Sequence, residues 1–169
     1  KDQTVVLDDI IFELDTVQSE NSMNENFILS KCYRMGKKAH DQMCLLISNN
    51  WCGCANLPPD TPVLSVTLSP DPVVQESTDT FTISGTLKQD ITNGYSLYIA
   101  FVDDGGNIIS SDIVDICKEV TCPVKAGTPY STTQNVYVPR FRGTTYIVVG
   151  IADGIGTTAN VIACSTATA

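Results

Sequence analysis

Hydrophobic and polar positions change rhythm near residue 50. Downstream, Phe81-Thr82-Ile83-Ser84-Gly85-Thr86-Leu87 alternates apolar with small or hydroxyl-bearing residues, the pattern of a strand with one face in a core and one in water. Tyr95 to Val102 places Tyr95, Leu97, Ile99 and Phe101 on one face. Val63 to Leu68 predicts an earlier strand, ended by Ser69-Pro70-Asp71-Pro72. Asn93-Gly94 predicts a turn, and Asp103-Asp104-Gly105-Gly106 closes a hairpin into Ile108 to Ile116. Gln134 to Val138 is a further strand stopped by Pro139, and Tyr146 to Ala152 with Asn160 to Thr168 forms the last hairpin. About seven or eight short strands with turn signals every 8–12 residues predict a mainly β fold, an immunoglobulin-like sandwich of two antiparallel sheets.

Residues 1–50 follow another rule. Val5-Val6-Leu7, Ile10-Ile11-Phe12 and Leu14 come in short blocks that suit strand or helix equally. From Phe27 to Ile47 there is no Pro and one Gly, and Phe27, Met35, Ala39, Met43 and Leu46 fall roughly on one helical face. The segment is expected to be mainly helical and to pack that face on the sandwich, because an exposed Phe and Met stripe is a liability. Cys32 and Cys44 would lie about 18 Å apart on one unbroken helix, so a bridge between them requires a helical hairpin turning near Gly36; otherwise each pairs elsewhere. Asn49 to Pro62 carries Asn-Asn, Gly53, Pro58-Pro59 and Pro62 and reads as a linker. The domain division is therefore a partly helical N-terminal extension, 1–50, and a β-sandwich, 51–169.

Composition narrows the function. The chain has 169 residues and a net charge of −9, which disfavours nucleic acid and anionic bilayers as partners. No run of about 18 apolar residues is present, so no stable membrane insertion is expected. Seven cysteines point to an oxidising compartment, and the odd number leaves one thiol free or paired with another molecule. His40, Cys44, Cys52 and Cys54 have the right atoms for zinc, but their spacing matches no common site. The single histidine and the lack of a Gly-x-Ser-x-Gly elbow argue against a serine triad, and Asp103-Asp104 beside two glycines reads as a turn rather than a catalytic pair. No enzyme activity, cofactor or metal is implied.

One ordered set of motifs remains. Ser69-Pro70-Asp71-Pro72, Gly94-Tyr95, Asp115-Ile116-Cys117, Cys122-Pro123-Val124, Gly127, Tyr130, Val138-Pro139 and the ending Val161-Ile162-Ala163-Cys164 resemble, in order, the ML (lipid-recognition) family. That family includes mite allergens, the Niemann–Pick type C sterol carrier and fungal phosphatidylglycerol/phosphatidylinositol transfer proteins. The resemblance spans about residues 52–169 and leaves residues 1–50 without a counterpart. It implies a sandwich whose sheets part to hold a lipid. It also implies two disulfides, Cys117 with Cys122 and Cys164 with a cysteine before the first strand. Cys52 and Cys54 both fit that partner; Cys54 is preferred because Cys54-Ala55-Asn56 resembles the mite sequence there.

Taken with the strand pattern, the resemblance predicts a slot lined by Val66, Phe81, Ile83, Leu97, Ile99, Phe101, Ile116, Val136, Val138, Tyr146 and Val148. The expected function is a secreted or lumenal carrier of a sterol or phospholipid. The alternative is a structural or interaction protein of the same fold with a blocked slot, assembling into homo-oligomers through residues 1–50 or a spare cysteine.

Overall fold

The computed structural model describes residues 5–7, 10–12, 51–54, 57–154 and 159–169. Near the N-terminus β1 (Val5–Leu7) and β2 (Ile10–Phe12) pair antiparallel, so those apolar blocks are strands. The expectations of a helix over Phe27 to Ile47 and of a Cys32–Cys44 bridge fall outside the described residues.

Eight further strands form two sheets. They are β3 (Cys52–Gly53), β4 (Ser65–Ser69), β5 (Thr78–Thr86), β6 (Tyr95–Asp103), β7 (Ile108–Asp115), β8 (Pro129–Tyr137), β9 (Thr145–Asp153) and β10 (Asn160–Thr168). A single helical turn, α1 (Ile116–Glu119), follows β7, and Asp115 caps it by accepting a bond from Cys117 N at 3.0 Å. One sheet runs β3-β10-β9-β6-β7 and the other β4-β5-β8, with every pairing antiparallel. The predicted sandwich is present, and the linker contributes the short strand β3.

The sheets are tied along the β4 and β10 side. Ser165 Oγ donates to Leu64 O at 2.7 Å and accepts from Leu64 N at 2.8 Å. This buried hydroxyl therefore completes the backbone bonding of the chain entering β4, where a carbonyl and an amide would otherwise go unpaired. Cys164 is bonded to Cys54, 110 residues away, and Cys117 is bonded to Cys122. The zinc set weighed from the sequence thus loses Cys54, and Cys52 is disulfide-bonded as well. Asp103 serves the β6–β7 hairpin as a turn residue. Its carboxylate accepts from Gly105 N and from the amide and side chain of Asn107, and these bonds, led by the Asn107 side chain, hold its pKa below the ordinary carboxylate value.

Pairing decides which side chains enter the interior. In β5 the inward set is Asp79, Phe81 and Ile83; in β6 it is Tyr95, Leu97, Ile99 and Phe101. In β9 the inward residues are Ile147, Val149 and Ile151. Tyr146 and Val148, expected in the slot, instead stand on the opposite face: Val148 pairs with Ala100 and packs with Tyr98 and Val102, and Tyr146 pairs with Val102. A one-residue shift in parity moves a whole strand's side chains across the sheet, and β9 is apolar at nearly every position from Tyr146 to Ala152, so alternation alone cannot assign its faces.

The face behind β9 is itself closely packed. Tyr98, Gly150 and Cys164 form one row across β6, β9 and β10. The Tyr98 side chain lies over Gly150, where an added Cβ would come within 2.7 Å of the phenol oxygen and two ring carbons, and its hydroxyl reaches Cys164 Sγ at 3.6 Å. Only glycine admits the ring at that distance.

Candidate functional site

The interior between the sheets is the candidate site. The three-stranded sheet contributes Val66, Phe81, Ile83 and Val136, with Val138 just past β8; the five-stranded sheet contributes Leu97, Ile99, Phe101, Ile147, Val149 and Ile151, and Ile116 closes one end from α1. Of the eleven residues expected to line the slot, nine lie in this cluster; Tyr146 and Val148 do not, and β9 supplies Ile147, Val149 and Ile151 in their place. Phe81 and Phe101 meet edge to face at its centre, centroids 6.4 Å apart and planes at 90°, the arrangement that ring quadrupoles favour.

Polar groups enter this interior mainly from β8, whose inward positions are Tyr130, Thr132, Gln134 and Val136. Tyr130 is 8% exposed and its hydroxyl has no hydrogen-bond partner. It stands directly across from Gly85, where a Cβ would meet Leu64 at 3.2 Å and the Tyr130 hydroxyl at 3.5 Å. Glycine there leaves room for the phenol and for Leu64. Thr132 is buried beside it in the strand, and Gln134 Nε2 donates to Thr132 Oγ1 at 3.5 Å, a long contact. This neutral stripe escaped the sequence reading because its neighbours are set by cross-strand register. The one signal was Tyr130 within the family-like motif set.

Asp79, also buried, is satisfied: it accepts from Val74 N and Ser77 Oγ, each at 3.0 Å, and so fastens the loop before β5. Among the described residues, no charged side chain faces the middle of the interior without local partners.

Burial pushes the Tyr130 phenol well above its ordinary value of 10.0. The folded state holds the proton while the unfolded chain releases it near the ordinary value. Stability from this group is therefore full below about pH 10 and declines as pH rises beyond it. In Tyr130→Phe that alkaline decline is expected to shrink, with neutral-pH stability kept or raised because an unpaired buried hydroxyl is removed. Urea unfolding of both proteins at neutral pH and above pH 10 checks this; equal alkaline losses in the two would show that Tyr130 is not the group responsible.

The two margins of the sandwich differ. At one, Ser165 and Leu64 join the layers. At the other, β7 and β8 end their sheets with no ladder between them among the described residues. The chain from α1 to β8 bridges one end there, through Cys117–Cys122 and the isolated bridge of Ile91 with Val124. The result is a disulfide-stapled β-sandwich with an apolar interior and one unzipped side.

The chain belongs to the ML domain family, whose sequence profile matches residues 48–169. A Dictyostelium discoideum protein named for phosphatidylglycerol/phosphatidylinositol transfer is 35% identical over 105 residues, 59% of this chain and 71% of that one. An Arabidopsis thaliana protein named as an MD-2-related lipid-recognition protein is 30% identical over 94 residues, 54% of this chain and 58% of that one. Among solved structures, a Niemann-Pick type C2 protein from Japanese carpenter ant aligns with a TM-score of 0.46 at 16% identity, over 64% of this chain and 91% of that chain.

Proposed function

We propose that this protein binds the hydrocarbon part of one lipid, a sterol or a phospholipid, between its two sheets and carries it in an extracellular or lumenal compartment. The observation that supports this most is the continuous apolar interior beside an unladdered β7–β8 margin, in a chain of the ML domain family. Each buried methylene of a ligand contributes about 0.8 kcal/mol, so an acyl chain or ring system needs no catalytic group to be held. Parting β7 from β8 breaks no strand ladder, whereas parting β4 from β10 breaks the Ser165 bonds, and this makes the β7–β8 side the entrance. Tyr130, Thr132 and Gln134 are the polar groups on offer to a ligand's oxygen atoms. The disulfides support the compartment, and family membership supports a carrier over an enzyme.

A second reading, a structural or interaction protein of the same fold, draws on the filled interior: Phe81, Ile83, Val138 and Val149 are completely inaccessible and the Phe81 and Phe101 rings touch. Binding of fluorescent sterol and phospholipid separates the two. Ile99→Trp and Val149→Trp place a large ring in the interior. Displacing even two methylenes of ligand is expected to weaken uptake by about tenfold or more, at a folding cost of about 1–3 kcal/mol. Thr133→Trp, on the water-facing side of β8, is expected to bind as wild type does. Wild-type protein that takes up neither probe at acidic or neutral pH, and yields no lipid on organic extraction from its source, would leave the structural reading in force.

A further inference from the structure

The two strand edges that flank the unladdered margin carry an unequal set of polar groups. Register places Ser110 beside Phe101, Asp112 beside Ile99 and Val114 beside Leu97. Phe101, Ile99 and Leu97 point into the interior, and directly paired residues share a face, so Ser110, Asp112 and Val114 lie on the interior side of β7. Val114 packs on the inner cluster and Ile113, one residue away, on the outer one, which fixes the parity. Asp112 is exposed, so its carboxylate stands in water at the lip. The opposite lip is β8, with Tyr130, Thr132 and Gln134 on its interior side. Ser110 pairs with Phe101, Gln134 with Phe81, and the two rings meet. Ser110 and Gln134 therefore stand at about one level of the margin, and Asp112 and Thr132 at the next level toward α1.

Neither lip supplies a cation to balance Asp112. β7 and β8 contain no Lys, Arg or His, and β7 adds a second acid, Asp115. The two ion pairs among the described residues, Lys88 with Asp60 and Lys125 with Asp90, engage other acids. The start of α1 offers no anion site either, because the Asp115 carboxylate already accepts from Cys117 N. Behind the lips the groups are neutral. The Tyr130 hydroxyl, on a side chain only 8% exposed, has no partner; it can donate once and accept, which is what another hydroxyl requires. A phosphate leaving water requires several donors, charged ones above all.

We propose that the β7–β8 lips form a charge filter: Asp112 excludes lipids with anionic head groups, and the neutral groups of β8 receive lipids whose polar end is an uncharged hydroxyl, as in a sterol. The filter presupposes the carrier reading and decides between its two cargo classes. A phosphate moving between the lips comes close to Asp112 with no cation to offset the repulsion. At the edge of a protein such a repulsion lies between its values in water and in the interior, enough to separate two cargoes by about tenfold in affinity. A hydroxyl meets no repulsion and exchanges hydrogen bonds with Gln134, Thr132 and Tyr130. An ammonium group is drawn to Asp112 but gains no acid beyond it, since the buried Asp79 is already engaged by Val74 N and Ser77 Oγ, and its loss of water goes uncompensated.

Binding of a fluorescent sterol and a fluorescent phosphatidylglycerol to the full chain at physiological salt tests the filter. The wild type is expected to hold the sterol about tenfold more tightly or better. Asp112→Asn is expected to raise phosphatidylglycerol binding relative to sterol several-fold, and Asp112→Lys by about tenfold or more, with the gain fading at about 1 M salt. The Asn variant keeps the shape of the side chain, so the comparison survives if Lys disturbs the strand. Asp104→Lys makes the same charge change in the exposed β6–β7 turn. It lies about 15 Å from Asp112 along the hairpin, beyond the screening length of about 8 Å, and is expected to leave the ratio alone. Wild-type protein that takes phosphatidylglycerol as tightly as sterol overturns the filter, and so does an Asp112→Lys ratio no higher than that of Asp104→Lys. Tighter binding of sphingosine, an amine, than of sterol overturns it too, by making Asp112 an amine anchor. If neither probe binds wild type or any variant, the carrier reading itself fails and the filter falls with it.

Discussion

Phe81→Ala is expected to cost about 3–5 kcal/mol, the range for truncating a large aromatic in a packed core. Phe81 is completely buried in the middle strand of the three-stranded sheet, and its ring is the point where that sheet meets Phe101 of the other. Removing it deletes the edge-to-face pair and opens a void between two ladders. Those ladders cannot close on it readily, because Ser165 and Leu64 fix the sheets' separation at one margin. Thr82→Ala, one residue on and facing the other way, is expected to stay within about 0.5 kcal/mol, as surface changes do. Urea unfolding of both variants measures the contrast. A shifted midpoint with an unchanged m-value reports lost packing rather than a changed unfolded state. A Phe81→Ala cost below about 1 kcal/mol would mean that the two sheets do not pack through this ring.

How much of this was legible depended on whether a strand's pattern marks one of its faces. β5 was read correctly because hydroxyls mark its wet face, and β6, although buried on both faces, because Leu97, Ile99 and Phe101 share one side. β9 was not, since both of its faces are buried and it carries no polar marker; only its ladders to β6 and β10 show that Ile147, Val149 and Ile151 point in. β8 begins at Pro129, earlier than expected. Its opening run Ser131-Thr132-Thr133 has the composition of a loop, yet Thr132 is buried. β3 is two residues long inside a stretch rich in Gly and Pro, below what any periodicity can register. The tight approaches of Tyr98 to Gly150 and Tyr130 to Gly85 were beyond sequence reading for a different reason: each joins residues far apart in the chain that only register brings opposite. The choice of Cys54 over Cys52 for Cys164 came from family resemblance, not from geometry.

Loss of the Cys54–Cys164 bond, by Cys54→Ala with Cys164→Ala, is expected to be among the costliest changes outside the aromatic core. The bond spans 110 residues, nearly the whole sandwich, and in the chain-entropy account a loop of that size restrains the unfolded chain by about 4.8 kcal/mol. Measured losses for native disulfides run at about 2–5 kcal/mol. Cys117–Cys122 spans only 5 residues, and the same account gives about 2 kcal/mol. Both cysteines of the long bond are buried, and Cys164 Sγ sits under the Tyr98 hydroxyl. Alanine is therefore the cleaner replacement, since serine would bring another hydroxyl into a buried site. Unfolding of the two double variants by urea, without reductant, is expected to rank the long bond above the short one by about 2 kcal/mol or more, with the m-value rising in each as the unfolded chain expands. Equal losses would show that the long bond does not act mainly through the unfolded chain. Its contribution would then lie in holding β3 against β10 in the folded sheet.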